Sequence, residues 1–334
     1  MMIPIPAVRA GDAAATDILY FEKSPWTPAV YERKAIVEKI AVPLLSGAHT
    51  MLVGPTGTGK SALLGALLLG GGLKQLAIAL GFGPSRSSRT IPVEISGYDS
   101  ASELRRRRGL VSVDGASQTV WEEGAIPTAF REAVSPEGED YVYYCWLKEL
   151  SQAASPTIYA SLLELISYGP VHLSRDEIVP GDSVTFVADS NWTAAGQYNN
   201  QELSEALQRR FVQVYLDYHS AEVEDAVLRH MTQHGVFVRH LGKRVSVPTD
   251  YIAAVVAMGQ EIRQQKEEGY LRSVPQVSYK SYQQALELQA MRQGSIQDAV
   301  IDIMLGGASP TDEDAVTTSL ASVFGQVDDL MGVF

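Results

Sequence analysis

Cysteine is almost absent from this sequence: Cys145 is the single one among 334 residues. One cysteine excludes an internal disulfide framework and a cysteine-based zinc cluster, and such scarcity is typical of a reducing compartment such as the cytoplasm. Positively charged residues are also few, since 27 Lys and Arg and 39 Asp and Glu give a net charge of −12. That balance argues against general, nonspecific binding of nucleic acid. The hydrophobic content of 46% excludes a wholly disordered or fibrous protein.

Long apolar runs are scarce as well. Residues 1–14 lack the charged start and apolar core of a signal peptide. Residues 62–82 are strongly apolar, but three glycines at 70–72 and Lys74 interrupt them. We therefore predict two buried helices joined by a glycine hinge, and no membrane span.

Short apolar strands alternate with helical patterns through the first two thirds of the chain. The strand candidates are 49–53, 91–95, 141–147, 184–188 and 212–216. This rhythm predicts an α/β domain over residues 1–218, with a mostly parallel five-stranded sheet between layers of helices. Helical patterns at 219–235, 249–268, 278–291 and 295–305 predict a small all-α domain over 219–305. Residues 306–334 contain acids and no Lys or Arg, and we expect a flexible acidic tail.

A glycine-rich motif follows the first of these strand candidates. It matches the pattern G-x-x-x-x-G-K-[ST] throughout and consists of Gly54, Pro55, Thr56, Gly57, Thr58, Gly59, Lys60 and Ser61. Glycines let backbone N–H groups converge on phosphate oxygens, and the helix that follows adds the positive end of its dipole. In this pattern the lysine reaches the β- and γ-phosphates and the serine hydroxyl binds Mg²⁺. The sequence therefore predicts a site for ATP and Mg²⁺.

Four further segments resemble the AAA+ ATPases, and in particular their MoxR-like branch. They are TVWEEGAIPTAFRE (119–132), the strand, acidic residue and amphipathic helix of 141–173, VTFVADSN (184–191) and ELSEALQRRF (202–211). The first is similar to a segment of the rubisco-activating and nitric-oxide-reductase-activating Q-type proteins. The resemblance covers roughly residues 30–305, and it implies a P-loop AAA+ core followed by a helical lid.

The resemblance also implies roles for single residues. Asn191 is similar to sensor 1, which orients the attacking water or the γ-phosphate. Arg210 resembles the arginine finger that acts on ATP in the neighbouring subunit, with Arg209 as the alternative. Lys280 lies where the family usually has a sensor 2 arginine. The alternative interpretation of Arg209 and Arg210 is a solvated helix end. The alternative interpretation of Lys280 is an ordinary surface lysine.

The sequence departs from the family at the Walker B strand, which should end in Asp-Glu. Here it ends in Lys148 and Glu149. Glu149 has the position of the catalytic glutamate, whereas Lys148 replaces the aspartate that holds the hydrated Mg²⁺. We expect slow hydrolysis, and a compensation in which Asp189 either neutralises Lys148 across the sheet or itself approaches the Mg²⁺ water. Asp189 facing solvent is the alternative.

The sequence assigns no single role to two clusters of basic residues. Arg105, Arg106, Arg107 and Arg108 form a run that would suit an acidic peptide, a neighbouring subunit or DNA, or simply a solvated face. His230, His234 and His240 offer no complete metal set.

The leading functional prediction is an ATP-driven remodelling machine. The MoxR-like resemblance implies a homo-oligomer, a hexameric ring, that acts with a von Willebrand factor A domain partner on a protein client. A mixed ring is the alternative assembly. The alternative functions are a nucleotide-dependent switch or scaffold with weak hydrolysis, because of Lys148, and a DNA motor or restriction subunit.

Overall fold

The computed structural model describes residues 2–4, 17–25, 28–83, 86–113, 116–153, 155–166, 168–174, 176–191, 203–271 and 273–318. The chain divides into two compact units at Asp217/Tyr218. The first contains the phosphate-loop motif, and the second contains the helices that follow it.

The first unit alternates strands and helices along most of its length. Its strands are β1 (Met2–Pro4), β2 (Ile18–Phe21), β3 (Val30–Arg33), β4 (Thr50–Gly54), β5 (Ser87–Glu94), β6 (Arg106–Val113), β7 (Ala116–Glu123), β8 (Tyr141–Lys148), β9 (Pro170–Ser174), β10 (Glu177–Pro180), β11 (Val184–Asn191) and β12 (Val212–Tyr215). Its helices are α1 (Lys34–Leu45), α2 (Lys60–Leu68), α3 (Gly72–Ala79), α4 (Ala125–Val134), α5 (Pro156–Leu165) and α6 (Glu205–Gln208).

The central sheet has five strands in the order β12-β4-β11-β8-β5. Every neighbouring pair in this sheet runs parallel, so the predicted α/β class and five-stranded parallel sheet are confirmed. Parallel strands need crossover connections, and these cover both faces of the sheet with helices. The carboxyl ends of β4, β11 and β8 consequently meet at one edge, where the phosphate loop lies.

Side chains on the sheet alternate between two separate hydrophobic cores. On β8, Tyr143 and Cys145 pack into one core with residues of α4 and α5. Tyr144 and Trp146 pack into the other core with residues of α1, α2 and α3. This alternation explains why strands of the sheet read as continuous apolar runs, since both faces are buried.

The structure adds antiparallel pieces around the parallel sheet that the sequence did not predict. β1, β2 and β3 form a small three-stranded sheet, while β6–β7 and β9–β10 are two-stranded hairpins. Residues 30–33 pair with β2, so α1 begins only at Lys34.

The second unit consists mainly of helices α7 (Ala221–Thr232), α8 (Thr249–Glu267), α9 (Tyr279–Arg292) and α10 (Ile296–Met304). It is not all-α as predicted, because β13 (Val236–Val238) and β14 (Lys243–Val245) form a short antiparallel hairpin. Part of the expected flexible tail also belongs to this fold. Residues 310–318 are helical, and Val316 is buried in the hydrophobic core of the unit.

Buried charge ties three helices of the second unit together. Arg263 of α8 donates to both carboxylate oxygens of Glu224 on α7, at 2.7 and 2.8 Å. The Tyr282 hydroxyl on α9 donates to the same carboxylate at 2.7 Å. All three side chains are nearly inaccessible to solvent, so each charge depends on its partner.

No single helix in the described ranges is long and apolar enough to cross a membrane. Helices α2 and α3 reach that length only together, and they are bent by 73° at the glycine break. The predicted pair of buried helices with a glycine hinge is thus confirmed.

Candidate nucleotide site

The phosphate loop connects the carboxyl end of β4 with the first turn of α2. Gly57 and Gly59 have φ values of 88° and 87°, a left-handed conformation that glycine adopts without steric cost. Gly54 is required for a different reason. A Cβ atom there would lie 1.9 Å from the Leu216 carbonyl oxygen, so the close approach of the two chain segments demands glycine.

Lys60 lies at the amino end of α2 and is buried, with 5% of its surface exposed. Its ammonium group donates to the carbonyl oxygens of Gly54 at 2.9 Å and Pro55 at 2.6 Å. Burial lowers the pKa of Lys60 to about 8, and the nearby Asp189 carboxylate partly offsets that effect. A lysine in this position, beside the positive end of a helix dipole, suits a polyphosphate.

Asp189 connects the phosphate loop with the end of the Walker B strand. It is buried, with 2% of its surface exposed. One carboxylate oxygen accepts a short hydrogen bond from the Ser61 hydroxyl. The other accepts from the Glu149 backbone N–H at 2.6 Å. Hydroxyl and carboxylate oxygens are the ligands that Mg²⁺ prefers, so Ser61 and Asp189 together fit a magnesium site.

Lys148 is not the partner of Asp189, so that form of the expected compensation is wrong. Its ammonium group donates to Glu94 at 2.9 Å, and the two residues are opposite one another on β8 and β5. The pair lies on the side of β8 away from the phosphate-loop strand. The cation that replaces the Walker B aspartate is therefore directed to the outer strand and away from Ser61.

Glu149 adopts a left-handed backbone conformation with φ 52° and ψ 48°. This conformation is uncommon and costly for a residue with a side chain, and such strain clusters at functional sites. Asn191 lies beside it, in register with Gly54, and its backbone N–H donates to the Ser151 hydroxyl at 3.3 Å. The structure thus brings Lys60, Ser61, Glu149, Asp189 and Asn191 to one edge of the sheet.

The arginine pair lies elsewhere. Arg209 and Arg210 precede β12, at the amino end of the strands and opposite the phosphate loop. Arg209 forms an exposed ion pair with Glu205, and pairs of this kind contribute little stability. Arg210 is exposed, and among the described residues it forms no ion pair with a carboxylate.

His49 is buried next to Arg210, at the start of β4. Its Nδ1 accepts a hydrogen bond from the Phe186 backbone N–H at 3.1 Å, and its ring stacks on Tyr168. Nε2 is buried and has no hydrogen-bond partner in the part of the chain that the structure describes. Burial, together with the charge of Arg210, lowers the pKa of His49 to about 4.

The remaining candidates belong to other elements of the structure. Lys280 is exposed on the first turn of α9 in the second unit. Within the described ranges, no three His, Cys, Asp or Glu side chains converge as a metal site would require. The run of four arginines is part of a structured region instead of a free loop. Arg105 contacts Glu164 at 2.7 Å, and Arg106 lies opposite Glu123 in the β6–β7 hairpin.

Sequence reasoning missed Glu94 and the ladder that pairs it with Lys148. A signal existed, since Glu94 lies next to the last residue of the candidate 91–95 and Lys148 directly follows the candidate 141–147. Only the pairing register shows that the two ends meet.

The strand order, the phosphate loop and the parallel sheet together define a P-loop nucleotide-binding domain. Residues 49–211 match the family model described as AAA domain (dynein-related subfamily). This segment is therefore similar to AAA+ domains, a class that binds ATP, typically with Mg²⁺. A search of curated proteins gave no match to the chain.

Proposed function

We propose that this protein is an AAA+ ATPase that uses ATP hydrolysis to remodel, activate or assemble a protein client. The observation that carries the proposal is the convergence of Lys60, Ser61, Asp189 and Glu149 at one edge of an AAA domain. Lys60 would hold the β- and γ-phosphates, Glu149 would polarise the attacking water, and Asn191 would orient it. Mg²⁺, when bound, neutralises charge on the phosphates.

The position of Arg210 supports assembly into a ring. The five residues of β4 separate this end of the sheet from the phosphate loop, and a strand rises by about 3.3 Å per residue. Arg210 therefore lies on the order of 15 Å from its own nucleotide site, beyond the reach of one side chain. Arg210 is exposed and forms no ion pair with a carboxylate in the described part of the chain, so it is available to act on ATP in a neighbouring subunit, whereas Arg209 pairs with Glu205.

The MoxR-like resemblance supplies the finer part of the proposal. It implies a hexameric ring, a partner with a von Willebrand factor A domain, and a lid in which Lys280 serves as sensor 2. Residues 119–132, which carry much of that resemblance, form the end of β7 and most of α4.

The proposal is tested by ATP turnover of the purified protein together with sedimentation under the same conditions. We expect turnover by an oligomer, and its loss in Lys60→Ala, Glu149→Gln and Arg210→Ala. Glu149→Gln and Arg210→Ala should still bind ATP, because neither removes the phosphate cradle. Mixing Arg210→Ala with Lys60→Ala subunits should restore activity where an intact loop meets an intact finger. No rescue between exchanging subunits would contradict a finger that acts in trans.

A second candidate function, a nucleotide-dependent switch, is favoured by one observation. Lys148 replaces a carboxylate at the end of β8, so the Walker B strand itself has one acidic group fewer than the family pattern. ATP binding without turnover would support the switch. A DNA motor has less support, because Arg105 already contacts Glu164 and Arg106 lies opposite Glu123.

A further inference from the structure

We propose that Asp189 has taken over the magnesium-side role of the missing Walker B aspartate, and that the same carboxylate positions Glu149. This inference rests on the proposed ATPase function and assigns two tasks to one residue. The structural basis is a carboxylate whose two oxygens contact the two halves of the site.

Strand order explains why a carboxylate can serve from this position. β11 is the immediate neighbour of the phosphate-loop strand β4, whereas β8 is one strand further away. Asp189 lies opposite Leu52 on β4, and neighbouring strands are about 4.8 Å apart. A short aspartate side chain is therefore sufficient to reach Ser61.

Side-chain alternation supplies the correct face of the sheet. Val187, two residues before Asp189, packs into the core that also contains residues of α2. Residues two apart on a strand share a face, so Asp189 faces the helix that begins at Lys60. A shift of one residue along β11 would direct the carboxylate to the opposite face.

The second contact of Asp189 is with the backbone of Glu149. The 2.6 Å hydrogen bond holds the amide of a residue in the left-handed conformation. Asp189 is thus a positioning residue for Glu149, because it stabilises a strained backbone from which the glutamate side chain is presented. The same carboxylate that would hold the metal also holds the residue that would activate water.

Lys148 is kept out of this arrangement by its own partner. It pairs with Glu94 at the outer strand, and its side chain is 30% exposed. A paired, partly solvated cation two strands from the phosphate loop is well screened from Ser61. The proposal therefore assigns the metal dependence of nucleotide binding to Asp189 and not to Lys148.

The test compares binding of a fluorescent, slowly hydrolysed ATP analogue in Mg²⁺ and in EDTA. The measured quantity is the ratio of the two dissociation constants, which reports how much Mg²⁺ strengthens binding. Asp189→Asn removes the charge and keeps the shape, with its amide oxygen accepting from the Glu149 N–H and its NH2 group donating to the Ser61 hydroxyl oxygen. We expect it to lower the ratio by about tenfold or more, while affinity in EDTA stays equal or rises because a negative charge beside the phosphates has gone.

Lys148→Met is the control variant, and we expect its ratio to stay within about threefold of the wild-type value. Hydrogen exchange of the peptide 147–153 tests the second task. Asp189→Ala should exchange faster there, whereas Asp189→Asn should keep protection, because its amide oxygen still accepts from Glu149. Melting temperatures show that each variant is folded.

Three results would overturn the inference. They are an equal loss of affinity in Mg²⁺ and EDTA for Asp189→Asn, a change in Lys148→Met as large as that in Asp189→Asn, or a wild-type ratio of one. Failure of the proposed function is a separate result: the wild-type protein would bind the analogue with full dependence on Mg²⁺ and on Asp189, yet would not turn over ATP under any assembly condition.

Discussion

Protonation of His49 should make the first unit unusually sensitive to mild acid. The ring is 1% exposed, and its Nδ1 is used as an acceptor by the Phe186 N–H. A second proton would have to be placed on that nitrogen, which would break the hydrogen bond and bury a charge beside Arg210. The folded state therefore resists protonation, with a pKa of about 4 against an ordinary value of 6.5.

The sign and size of the effect follow from proton linkage. Because the folded pKa is lower than the unfolded one, the stabilisation is complete above pH 6.5 and is lost as the pH falls toward 4. One pKa unit corresponds to about 1.36 kcal/mol. Between pH 7 and pH 5, His49 alone should thus remove about 2 kcal/mol from the free energy of unfolding.

The assay is urea unfolding at several pH values, followed by tryptophan fluorescence. All four tryptophans, at positions 26, 121, 146 and 192, lie before Tyr218, so the signal reports on the first unit. His49→Asn provides the comparison, because its side-chain oxygen can replace Nδ1 as acceptor but does not titrate. His49→Phe is a second comparison, which keeps the aromatic contact with Tyr168 and gives up the acceptor.

We expect the difference in the free energy of unfolding between wild type and variant to shrink by about 2 kcal/mol from pH 7 to pH 5. A constant offset is expected in addition, since the lost ring or the unpaired Phe186 N–H costs about 1–3 kcal/mol at every pH. If the gap were the same at both pH values in both variants, His49 would not be the buried neutral histidine described above.

Three further predictions concern other buried groups. ATP binding at pH 9 should take up protons, because Lys60, with its pKa of about 8, must be charged beside phosphate. Calorimetry in buffers of different ionisation enthalpy measures this proton uptake, and equal heats of binding in all buffers would contradict it. Arg263→Met should destabilise the second unit by about 3–5 kcal/mol, because it leaves the Glu224 carboxylate buried without its cation. The exposed Arg292→Met should cost under about 1 kcal/mol. Thermal unfolding compares the two variants, and equal losses of stability would refute the buried network. Cys145, whose pKa is raised by complete burial, should react with a thiol reagent only when the protein unfolds, and rapid labelling of the native protein would show that the core is open.

The sequence by itself determined the parts of this protein that depend on local pattern. Gly54–Ser61 is one continuous segment, so its residue types alone indicate the phosphate site. Apolar strands alternating with helices also predicted the parallel sheet, since burial on both faces leaves a direct mark on composition. The helices of the second unit were also predictable, because helical periodicity is a pattern among residues close together in the chain.

Tertiary structure alone decided how distant segments meet. Asp189 and Ser61 are 128 positions apart, and Lys148 and Glu94 are 54 apart. Strand register joins each pair, and a shift of one residue would place a side chain on the other face of the sheet. No local pattern records that register. For this reason the sequence indicated that Lys148 needed a counter-charge, but only the folded sheet assigned Glu94 to Lys148 and left Asp189 to the phosphate loop.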